Sequence, residues 1–319
     1  MGFLLEGQWH NQWYDTKKSK GEFVRKESQF RNWITPDGQP GPTGEGGFAA
    51  ESGRYHLYVS YACPWAHRTL IFRYLKKLEN HISISVVHPH MLERGWEFIP
   101  THPNFRDSVN YCRCLYEIYL LANPFYSGTV TVPILWDKKR HTIVNNESSE
   151  IIRMFNSAFN DITGDQDDYY PPQYRNDIDI INNRVYEDIN NGVYRCGFAT
   201  QQAPYEKAFD ALFEALSTLE KRLKNQPYLV DNQLTEADWR LFTTLIRFDI
   251  VYYSHFKCNL RRIADFPHLF NYLKRLYYIP GIAQTVNFEH IKQHYYFSHV
   301  TINPTRIVPK GPIIDLSLP

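Results

Sequence analysis

Cys63 is the residue whose setting most suggests chemistry. It stands in the stretch SYACPWAHRT, residues 60 to 69, between a predicted strand and a predicted helix. A free thiol has a pKa of about 8.5, so only a few per cent of it is nucleophilic thiolate at neutral pH. The unpaired N–H groups at a helix start favour the thiolate, and Pro64 suits the first helical turn because its missing donor is not needed there. This context favours a nucleophile over a buried structural cysteine.

The position three residues after Cys63 decides what kind of thiol chemistry is expected. Dithiol redox proteins carry a second cysteine there, whereas this chain has Ala66. A mixed disulfide formed at Cys63 therefore has no local resolving thiol and must be cleared by an external one. We expect that external thiol to be glutathione.

Two further segments suit a glutathione site. Val132-Pro133 opens a strand-like run, where proline is admissible, and a cis bond there would expose the Val132 backbone to an extended peptide ligand. Glu147 and Ser148 begin the next predicted helix. Helix N–H groups and a hydroxyl can receive the carboxylate of a γ-glutamyl group while Glu147 meets its ammonium group. An ordinary helix cap is the alternative interpretation of Glu147 and Ser148.

The composition excludes several classes of partner. Lys and Arg number 35 against 34 Asp and Glu, a net charge of +1 over 319 residues, so no overall field attracts nucleic acid or an anionic membrane. No apolar run approaches membrane-spanning length, and the N-terminus lacks the pattern of a secretory signal. The five cysteines, an odd and scattered set, favour a reducing cytoplasm. His290 and His294 lie four residues apart but lack an HExxH pattern and a third ligand, so we predict no metal.

The elements that must position Cys63 form an α/β pattern. Residues 55–60 and 82–87 read as strands joined by a helix, which predicts a parallel β-α-β unit. A helix around 109–121 is expected next, followed by a hairpin built from TVPILWD and HTIV and by a closing helix. This order predicts a thioredoxin-like domain. Downstream, residues 205–224 carry apolar side chains at three-and-four spacing, and strand signals vanish, so the second domain is predicted to be all-helical.

The predicted domain plan has five parts. The first is a loop-like N-terminal extension whose aromatic residues, Trp9, Trp13, Phe30 and Trp33, predict that it wraps over the folded body. The remaining parts follow in order. The plan is 1–54 for this extension, 55–160 for the thioredoxin-like glutathione-binding domain, 161–175 for a linker, 176–299 for the all-helical domain and 300–319 for an extended tail.

Taken together, the motifs resemble the glutathionyl-hydroquinone reductases, the Xi class of glutathione transferases. The resemblance rests on SYACPWAHRT, LERGW, TVPILWDKKRHTIVNNESSEIIRMFN, NNGVYRCGFAT, LTEADWRLFTTLIRFD and NPTRIVPKGP. It covers essentially the whole chain, including the N-terminal arm and C-terminal tail. It implies the glutathione transferase fold, a homodimer formed through the C-terminal domains, and reduction of aromatic glutathionyl-hydroquinones by glutathione to hydroquinones and glutathione disulfide.

The resemblance also implies residue roles. Cys63 matches the nucleophile and Trp96 the tryptophan that covers bound glutathione. The glutathione-pairing segment corresponds to Thr129, Val130, Thr131 and Val132, and the γ-glutamyl anchor to Glu147 and Ser148. Relatives can carry Arg at the position of Thr129.

Three tyrosines receive roles in the same way. Tyr194 matches the proposed proton donor, and Tyr252 and Tyr295 match two tyrosines thought to stabilise the thiolate. The adjacent Tyr253 and Tyr296 are the alternative assignments.

Two other functions compete with this one. An omega-like glutathione transferase, acting as a thiol transferase or dehydroascorbate reductase, would share the lone cysteine. A non-enzymatic assembly module with the same fold would have no need of a reactive thiol. The three-tyrosine set and the flanking extensions favour the hydroquinone chemistry over the first alternative, and the activating context of Cys63 argues against the second.

Overall fold

The computed structural model describes residues 2–12 and 15–317, so Trp13 of the predicted N-terminal wrap lies outside the described residues. Two compact units divide the chain. The first contains residues 2–12, Lys26–Asp167 and Thr285–His290, and the second contains residues 15–25, Asp168–Gln284 and 291–317. The N-terminal extension is therefore shared between the units.

The first unit is an α/β structure. Its strands are β1 (Phe3–Leu5), β2 (Gln8–His10), β3 (Tyr55–Val59), β4 (Ser83–Val86), β5 (Gly128–Thr129), β6 (Ile134–Asp137) and β7 (Thr142–Asn145). Its helices are α1 (Pro64–Leu75), α2 (Leu115–Ala122), α3 (Ser148–Ser157) and α4 (Asn160–Thr163).

The central sheet of this unit has the strand order β4-β3-β6-β7. β3 pairs in parallel with β4, with Leu57 opposite Ile84, and antiparallel with β6, with Leu57 opposite Leu135. β3 is buried along its whole length, as expected for a central strand covered on both faces. The predicted β-α-β unit and hairpin are both present, and α1 packs against α3.

The predicted helix at 109–121 is wrong in its first half. The helix begins only at Leu115, behind a capping box formed by Cys114 and Glu117. Upstream, the buried Asp107 carboxylate accepts the N–H groups of Val109, Asn110 and Cys112 at 3.0 to 3.1 Å. A side chain that takes up successive backbone donors competes with helix formation, which explains why residues 109–113 form a loop.

The first part of the N-terminal extension adds a small second sheet to this unit. β1 pairs antiparallel with both β2 and β5. The indole ring of Trp9 stacks on Tyr116 at 5.0 Å, and its Nε1 donates to the Glu93 carbonyl at 3.0 Å. Gly95 has a φ of +71°, and an added Cβ would lie 2.7 Å from that indole ring. Glycine at 95 therefore permits both the turn and the close approach of Trp9.

The second unit is helical. Its α-helices are α5 (Arg175–Arg184), α6 (Gly192–Phe198), α7 (Gln202–Leu223), α8 (Glu236–Arg247) and α9 (Pro267–Tyr277). Helix α10 (Phe288–Lys292) begins in the first unit and ends in the second. Among the described residues, π-helical segments lie at Val185–Asn190, Phe248–Tyr252 and Gln293–Phe297. Short 3₁₀ turns lie at Pro172–Tyr174, Ile263–Asp265 and Ala283–Thr285.

Helix α8 forms the centre of this unit because every one of its residues from Glu236 to Arg247 is buried. Its N-terminus carries a capping box formed by Thr235 and Asp238. The Asp238 carboxylate also accepts the Tyr272 hydroxyl and the Leu229 N–H, at 2.8 and 2.9 Å. One buried side chain thus ties the start of α8 to α9. In the part of the chain described, no helix is long and apolar enough to cross a membrane.

Candidate active site

Cys63 lies at the N-cap of α1, with Pro64 as the first helical residue, as the sequence predicts. Its extended backbone follows β3 through a turn in which its N–H donates to the Ser60 carbonyl at 3.1 Å. The side chain is partly exposed, and Sγ donates to the Val132 carbonyl at 3.5 Å. The fully buried Ala66 stands where a second cysteine of a dithiol motif would be. The thiol is thus accessible at a helix start, and no local resolving partner lies in the motif.

The other cysteines have different surroundings. Burial and the nearby Asp107 carboxylate raise the pKa of Cys112 to about 12. Burial likewise raises the pKa of Cys114 and, more strongly, that of Cys258, whose sulfur also interacts with Cys196. These shifts hold the thiols protonated, so they are poor nucleophiles. The five cysteines, all among the described residues, are not joined in disulfides.

The segment Thr129–Val132 begins with the last residue of β5, precedes β6 and contacts Cys63 through Val132. The peptide bond between Val132 and Pro133 is cis. The Tyr119 hydroxyl accepts from the Thr131 N–H at 3.2 Å and donates to the Thr131 carbonyl at 2.9 Å. Thr129 is paired with Phe3 of β1. The Tyr119 hydroxyl therefore fixes the backbone of Thr131, and the Val132 carbonyl lies next to the Cys63 thiol.

Glu147 and Ser148 lie at the N-terminus of α3. The Glu147 carboxylate accepts the N–H and the hydroxyl of Ser149 at 3.0 and 2.9 Å, which is the geometry of an N-cap. From the N-terminal extension, Ser28 donates its hydroxyl to Glu147 at 3.3 Å. Arg31 of the same segment pairs with Glu150, its Nε lying 2.7 Å from the carboxylate. The extension therefore contacts the predicted γ-glutamyl anchor directly.

A buried arginine stands behind this anchor. Arg68 is almost fully buried on α1, and its Nη1 lies 3.4 Å from the Ser148 hydroxyl oxygen. Its guanidinium carbon lies 4.5 Å from the ring centre of Trp65. A positive charge at this place adds to the helix N-terminus of α3 in favouring a bound carboxylate. The sequence gives Arg68 a position on the helix but does not reveal its contact with Ser148, 80 residues away.

Trp96, predicted to cover glutathione, is buried. It follows the turn at Leu92–Gly95, and its carbonyl accepts the Leu115 N–H at the start of α2 at 2.9 Å.

His67, next to Arg68 on α1, is also buried and hydrogen-bonds the Thr285 hydroxyl at 2.8 Å. In the described ranges, no three His, Cys, Asp or Glu side chains form a group that could hold a metal ion.

The second unit brings the three predicted tyrosines together. The Tyr295 hydroxyl lies 2.6 Å from that of Tyr194 and 2.9 Å from that of Tyr252. Tyr252 ends one π-helical segment, Tyr295 lies within another, and Tyr194 is on α6 just after the third. Such π turns occur often at functional sites because they change which side chains face inward.

The neighbouring tyrosines are oriented differently. The Tyr296 hydroxyl lies 2.5 Å from that of Ser254 and donates to the Ile250 carbonyl at 3.1 Å. Tyr253 is partly exposed, whereas Tyr252 is fully buried. The hydroxyl cluster is thus formed by Tyr194 together with Tyr252 and Tyr295, which are the first members of the two adjacent pairs.

The three tyrosines of the cluster differ in their electrostatic surroundings and in how much of each is exposed. Burial, together with the adjacent Tyr194 and Tyr252, raises the pKa of Tyr295 well above its ordinary value, although Arg247 opposes this. Tyr295 therefore remains a neutral hydrogen-bond donor. Tyr194 keeps the largest exposed fraction of the three, 9 % against 0 % for Tyr252 and 1 % for Tyr295. Tyr194 is therefore the least buried member of the cluster, which makes it the candidate for contact with a ligand.

Aromatic packing holds the cluster in place. The Phe256 ring lies within 5.4 to 5.6 Å of the rings of all three tyrosines. Phe256 can approach so closely because residue 197 is glycine, where an added Cβ would lie 2.7 Å from its Cδ2. His299 packs on Phe256 and on Tyr295, and burial lowers its pKa well below the ordinary value. The sequence assigned no role to Phe256 or His299, because their contacts with the tyrosines depend on tertiary packing.

Comparison with known families agrees with this fold. Residues 62–158 match the model of the glutathione S-transferase N-terminal domain, and residues 202–275 match that of the glutathione S-transferase C-terminal domain. The chain belongs to the glutathione S-transferase family. The predicted fold class, a thioredoxin-like domain followed by an all-helical domain, is confirmed.

Individual relatives narrow this assignment. The glutathionyl-hydroquinone reductase YqjG of Escherichia coli is 57% identical over 100% of this chain and 98% of its own length. Its glutathione-bound structure superimposes with a TM-score of 0.92, covering 100% of this chain and 98% of that one at 54% identity. The glutathionyl-hydroquinone reductase PcpF of Sphingobium chlorophenolicum is 54% identical over 98% of this chain and 96% of its own length.

A similar solved structure from a fungus is named as a Xi-class enzyme. The Xi glutathione S-transferase of Phanerochaete chrysosporium is 52% identical, with a TM-score of 0.87 over 93% of this chain and 99% of that one. Within the glutathione S-transferases, the chain therefore belongs with the Xi class and the glutathionyl-hydroquinone reductases. The resemblance inferred from the motifs is confirmed.

Proposed function

We propose that this protein reduces glutathionyl-hydroquinones to hydroquinones, with glutathione as the co-substrate and glutathione disulfide as the second product. The relatives named as glutathionyl-hydroquinone reductases match it over nearly its whole length, which supports the same activity here. The glutathione-bound structure of YqjG supports glutathione as the ligand.

One observation carries the proposal within the molecule itself. The hydroxyl groups of Tyr194, Tyr295 and Tyr252 form a continuous hydrogen-bonded chain with links of 2.6 and 2.9 Å. A thiol transferase exchanges sulfur for sulfur and needs no proton on carbon. Breaking a carbon–sulfur bond to an aromatic ring does need one, and a buried chain of phenols is suited to supply it.

The reaction begins at the Cys63 thiolate. It attacks the glutathione sulfur of the conjugate, a sulfur–sulfur bond forms, and the electron pair of the broken carbon–sulfur bond passes to the ring. Tyr194 gives a proton to the ring carbon, which releases the hydroquinone and leaves a Cys63–glutathione mixed disulfide. The thiolate of a second glutathione attacks this disulfide, releasing glutathione disulfide, and its thiol proton restores the phenol. The absence of a second cysteine at Ala66 makes this external thiol necessary.

The direction of the hydrogen bonds fits a donor role for Tyr194. A phenol donates one hydrogen bond and accepts others. If Tyr194 points its proton at the substrate, its oxygen accepts from Tyr295, and Tyr295 in turn accepts from Tyr252. The raised pKa of Tyr295 keeps that residue protonated, so it stabilises the phenolate that Tyr194 becomes.

Glutathione is proposed to bind along the first unit. Its γ-glutamyl carboxylate would meet Ser148 and the N-terminus of α3, with Arg68 behind the hydroxyl. Its ammonium group would meet Glu147, and its cysteinyl backbone would pair with the segment Thr129–Val132. Trp96 would cover the bound tripeptide. The 3.5 Å contact between Cys63 and the Val132 carbonyl supports a thiol that lies next to this backbone.

A comparison of three substrates under excess glutathione tests the function. Rapid turnover of a glutathionyl-hydroquinone, with little turnover of dehydroascorbate or a small mixed disulfide, is expected. Comparable turnover of all three would instead indicate an omega-like thiol transferase or dehydroascorbate reductase. No turnover of any of them would favour a non-enzymatic assembly module.

We further propose that the enzyme works in the reducing cytoplasm as a homodimer joined through its C-terminal domain and without a metal ion. Light scattering coupled to gel filtration measures the assembly. Dialysis against a chelator should leave turnover unchanged, and a loss restored by a divalent metal would contradict the metal-free proposal.

A further inference from the structure

We propose that Arg25, in the N-terminal extension, is a positioning residue that strengthens Tyr194 as a proton donor by holding a guanidinium charge over its ring. The inference rests on the proposed function, since it assumes that Tyr194 delivers a proton to the substrate. It gives a chemical role to a segment of the extension, residues 15–25, that belongs to the helical unit.

The geometry places the charge on the face of the phenol. The guanidinium carbon of Arg25 lies 4.9 Å from the ring centre of Tyr194, inside the range of a cation–π contact. Its Nε donates to Asn191 Oδ1 at 2.8 Å. Asn191 is buried and directly precedes α6, the helix that carries Tyr194. The same helix start therefore fixes both the cation and the phenol.

The segment around Arg25 is anchored at several points. Phe23 is buried and stacks on Tyr194 with ring centres 6.2 Å apart. The Gly21 carbonyl accepts the Thr200 N–H at 3.1 Å, and the Thr16 and Thr200 hydroxyls lie 2.8 Å apart. An anchored segment holds Arg25 at low entropic cost, so its charge stays over the ring.

A cation over the ring acts on the proton donor in one direction. The negative charge of a phenolate spreads into the ring, so a guanidinium on the ring face stabilises the phenolate more than the neutral phenol. Two titratable groups face Tyr194 from other elements: Tyr295, at 2.6 Å between hydroxyls, and Tyr252, whose ring centre is 6.1 Å away. Phe198 and Phe256 add apolar rings next to Tyr194. Arg25 therefore makes Tyr194 a stronger acid at the step that breaks the carbon–sulfur bond.

The balance of the reaction is unchanged by this role. Tyr194 loses its proton to the ring carbon while the Cys63 thiolate and the departing sulfur are oxidised to a mixed disulfide. The thiol of the second glutathione returns the proton. Arg25 neither gains nor loses a proton at any step.

Single-turnover pH profiles of substrate cleavage test the inference. In Arg25→Gln, we expect the maximal rate to fall about two- to threefold and the basic limb of the profile to move up by about half a pH unit. Arg25→Lys, which keeps the charge, should recover much of the rate. Arg195→Gln is the matched control, because it removes the same charge from α6 at a side chain that pairs with Glu187 on the surface. It should behave as the wild type.

The same substitution made in a Tyr194→Phe protein distinguishes the proposed role of Arg25 from a general loss of structure. In Tyr194→Phe protein, adding Arg25→Gln should have almost no further effect on cleavage, because the donor is already absent. An equal loss with and without Tyr194 would overturn the proposal. So would an unchanged profile in Arg25→Gln, or an Arg25→Lys variant that is no better than Arg25→Gln.

A measurement without turnover keeps the inference independent of the activity. With tyrosine labelled by ¹³C at Cζ, the Tyr194 resonance is identified by its absence in Tyr194→Phe. Its titration midpoint should rise by about half a pH unit in Arg25→Gln. If the wild type fails to process glutathionyl-hydroquinones, the proposed function fails, and this titration still decides the role of Arg25. An unchanged midpoint overturns the inference even if the enzyme is active.

Discussion

The hydroxyl oxygens of Tyr194 and Tyr295 lie 2.6 Å apart, although 101 residues separate them in the chain. Tyr295 accepts or donates a second bond at 2.9 Å to Tyr252, and all three side chains are buried at or next to π-helical segments. A buried phenol that keeps its proton can stabilise a neighbouring phenolate, so this contact links the packing of the helical unit to acid chemistry.

Replacing Tyr194 by Phe should separate the two halves of the proposed reaction. Carbon–sulfur cleavage should slow by about 10²- to 10⁴-fold, because the general acid is lost. Exchange of Cys63 with a small mixed disulfide needs no proton on carbon and should stay within about threefold of the wild type. Stopped-flow kinetics with each substrate measure both steps.

The control for this variant is Tyr253→Phe, which removes a phenol hydroxyl beside Tyr252 that does not belong to the cluster. It should leave both steps unchanged. Equal losses of cleavage and exchange in Tyr194→Phe would remove Tyr194 from the donor role.

Gly197→Ala should destabilise the helical unit around the tyrosine cluster. The added Cβ would lie 2.7 Å from Cδ2 of Phe256, a ring that contacts all three tyrosines. Overpacking of this kind costs about 1 to 3 kcal/mol in free energy of unfolding. Urea unfolding measures the loss.

Gly192→Ala, on the same helix, is the comparison. Its Cβ would meet Leu212 at 3.7 Å, which is ordinary van der Waals contact, so this variant should be at least as stable as the wild type. A similar loss in both variants would show that the cost comes from the helix itself and not from Phe256.

The α/β half of the fold could be predicted because its signals are local. The apolar runs of β3 and β4, the Pro64 helix start and the hairpin of β6 and β7 each lie within a few residues. The failure at 109–113 came from Asp107, whose carboxylate binds three backbone N–H groups of a sequence that otherwise suits a helix. Periodicity cannot register such a competition, because it depends on where one side chain points.

The residues of the candidate site could be predicted from the sequence, but the contacts that hold them in position could not. Cys63 could be found from its strand–Cys–Pro–helix context, and the tyrosines from family motifs. The contact of Arg68 with Ser148 and that of Arg25 with Tyr194 join residues 80 and 169 positions apart. The π-helical turns that carry Tyr252 and Tyr295 have no sequence pattern distinct from that of an α-helix. These contacts become visible only with the tertiary structure.

Ser148→Ala should weaken glutathione binding more than it slows the chemistry. The Ser148 hydroxyl lies at the start of α3 and 3.4 Å from Arg68, so it is placed to bind a carboxylate. A hydrogen bond to a charged group contributes about 1.5 to 3 kcal/mol, which corresponds to an increase in Kd of about 10- to 100-fold. Calorimetric titration with glutathione measures the change.

Ser157→Ala tests whether that effect is local to the anchor. Ser157 is exposed in the last turn of the same helix, and its hydroxyl donates to the Arg153 carbonyl. This variant should bind glutathione as the wild type does. An unchanged Kd in Ser148→Ala would exclude Ser148 from the anchor.

Cys63→Ala should abolish turnover, because this variant lacks the thiol that is proposed to form the mixed disulfide. When the wild type reacts with a glutathionyl-hydroquinone without added glutathione, one glutathione should remain attached to the protein. Peptide mass spectrometry should locate it at Cys63. Cys112→Ala serves as the control because burial raises the pKa of that partly exposed thiol to about 12. Glutathione found on Cys112, or persistent turnover in Cys63→Ala, would contradict the assignment.

His56 should make the protein less stable in mild acid. It is fully buried in β3, its Nδ1 lies 2.7 Å from the Ser83 hydroxyl, and burial lowers its pKa to about 4 from an ordinary value of 6.5. Below about pH 6.5 the unfolded chain therefore binds a proton at His56. The folded chain binds that proton only below about pH 4. The stability is fully present above 6.5 and is lost as the pH falls through this window.

Between pH 7 and pH 5, this linkage should lower the free energy of unfolding by about 2 kcal/mol. Buried His255, whose pKa burial also lowers to about 4, adds a loss of the same sign, so the contribution of His56 must be measured as a difference between proteins. His56→Gln cannot take up the proton and should lose about 2 kcal/mol less than the wild type over this interval, whereas His141→Gln, at an exposed position, should follow the wild type. Urea unfolding at the two pH values gives the comparison, and parallel losses in the wild type and His56→Gln would show that His56 is not the group responsible.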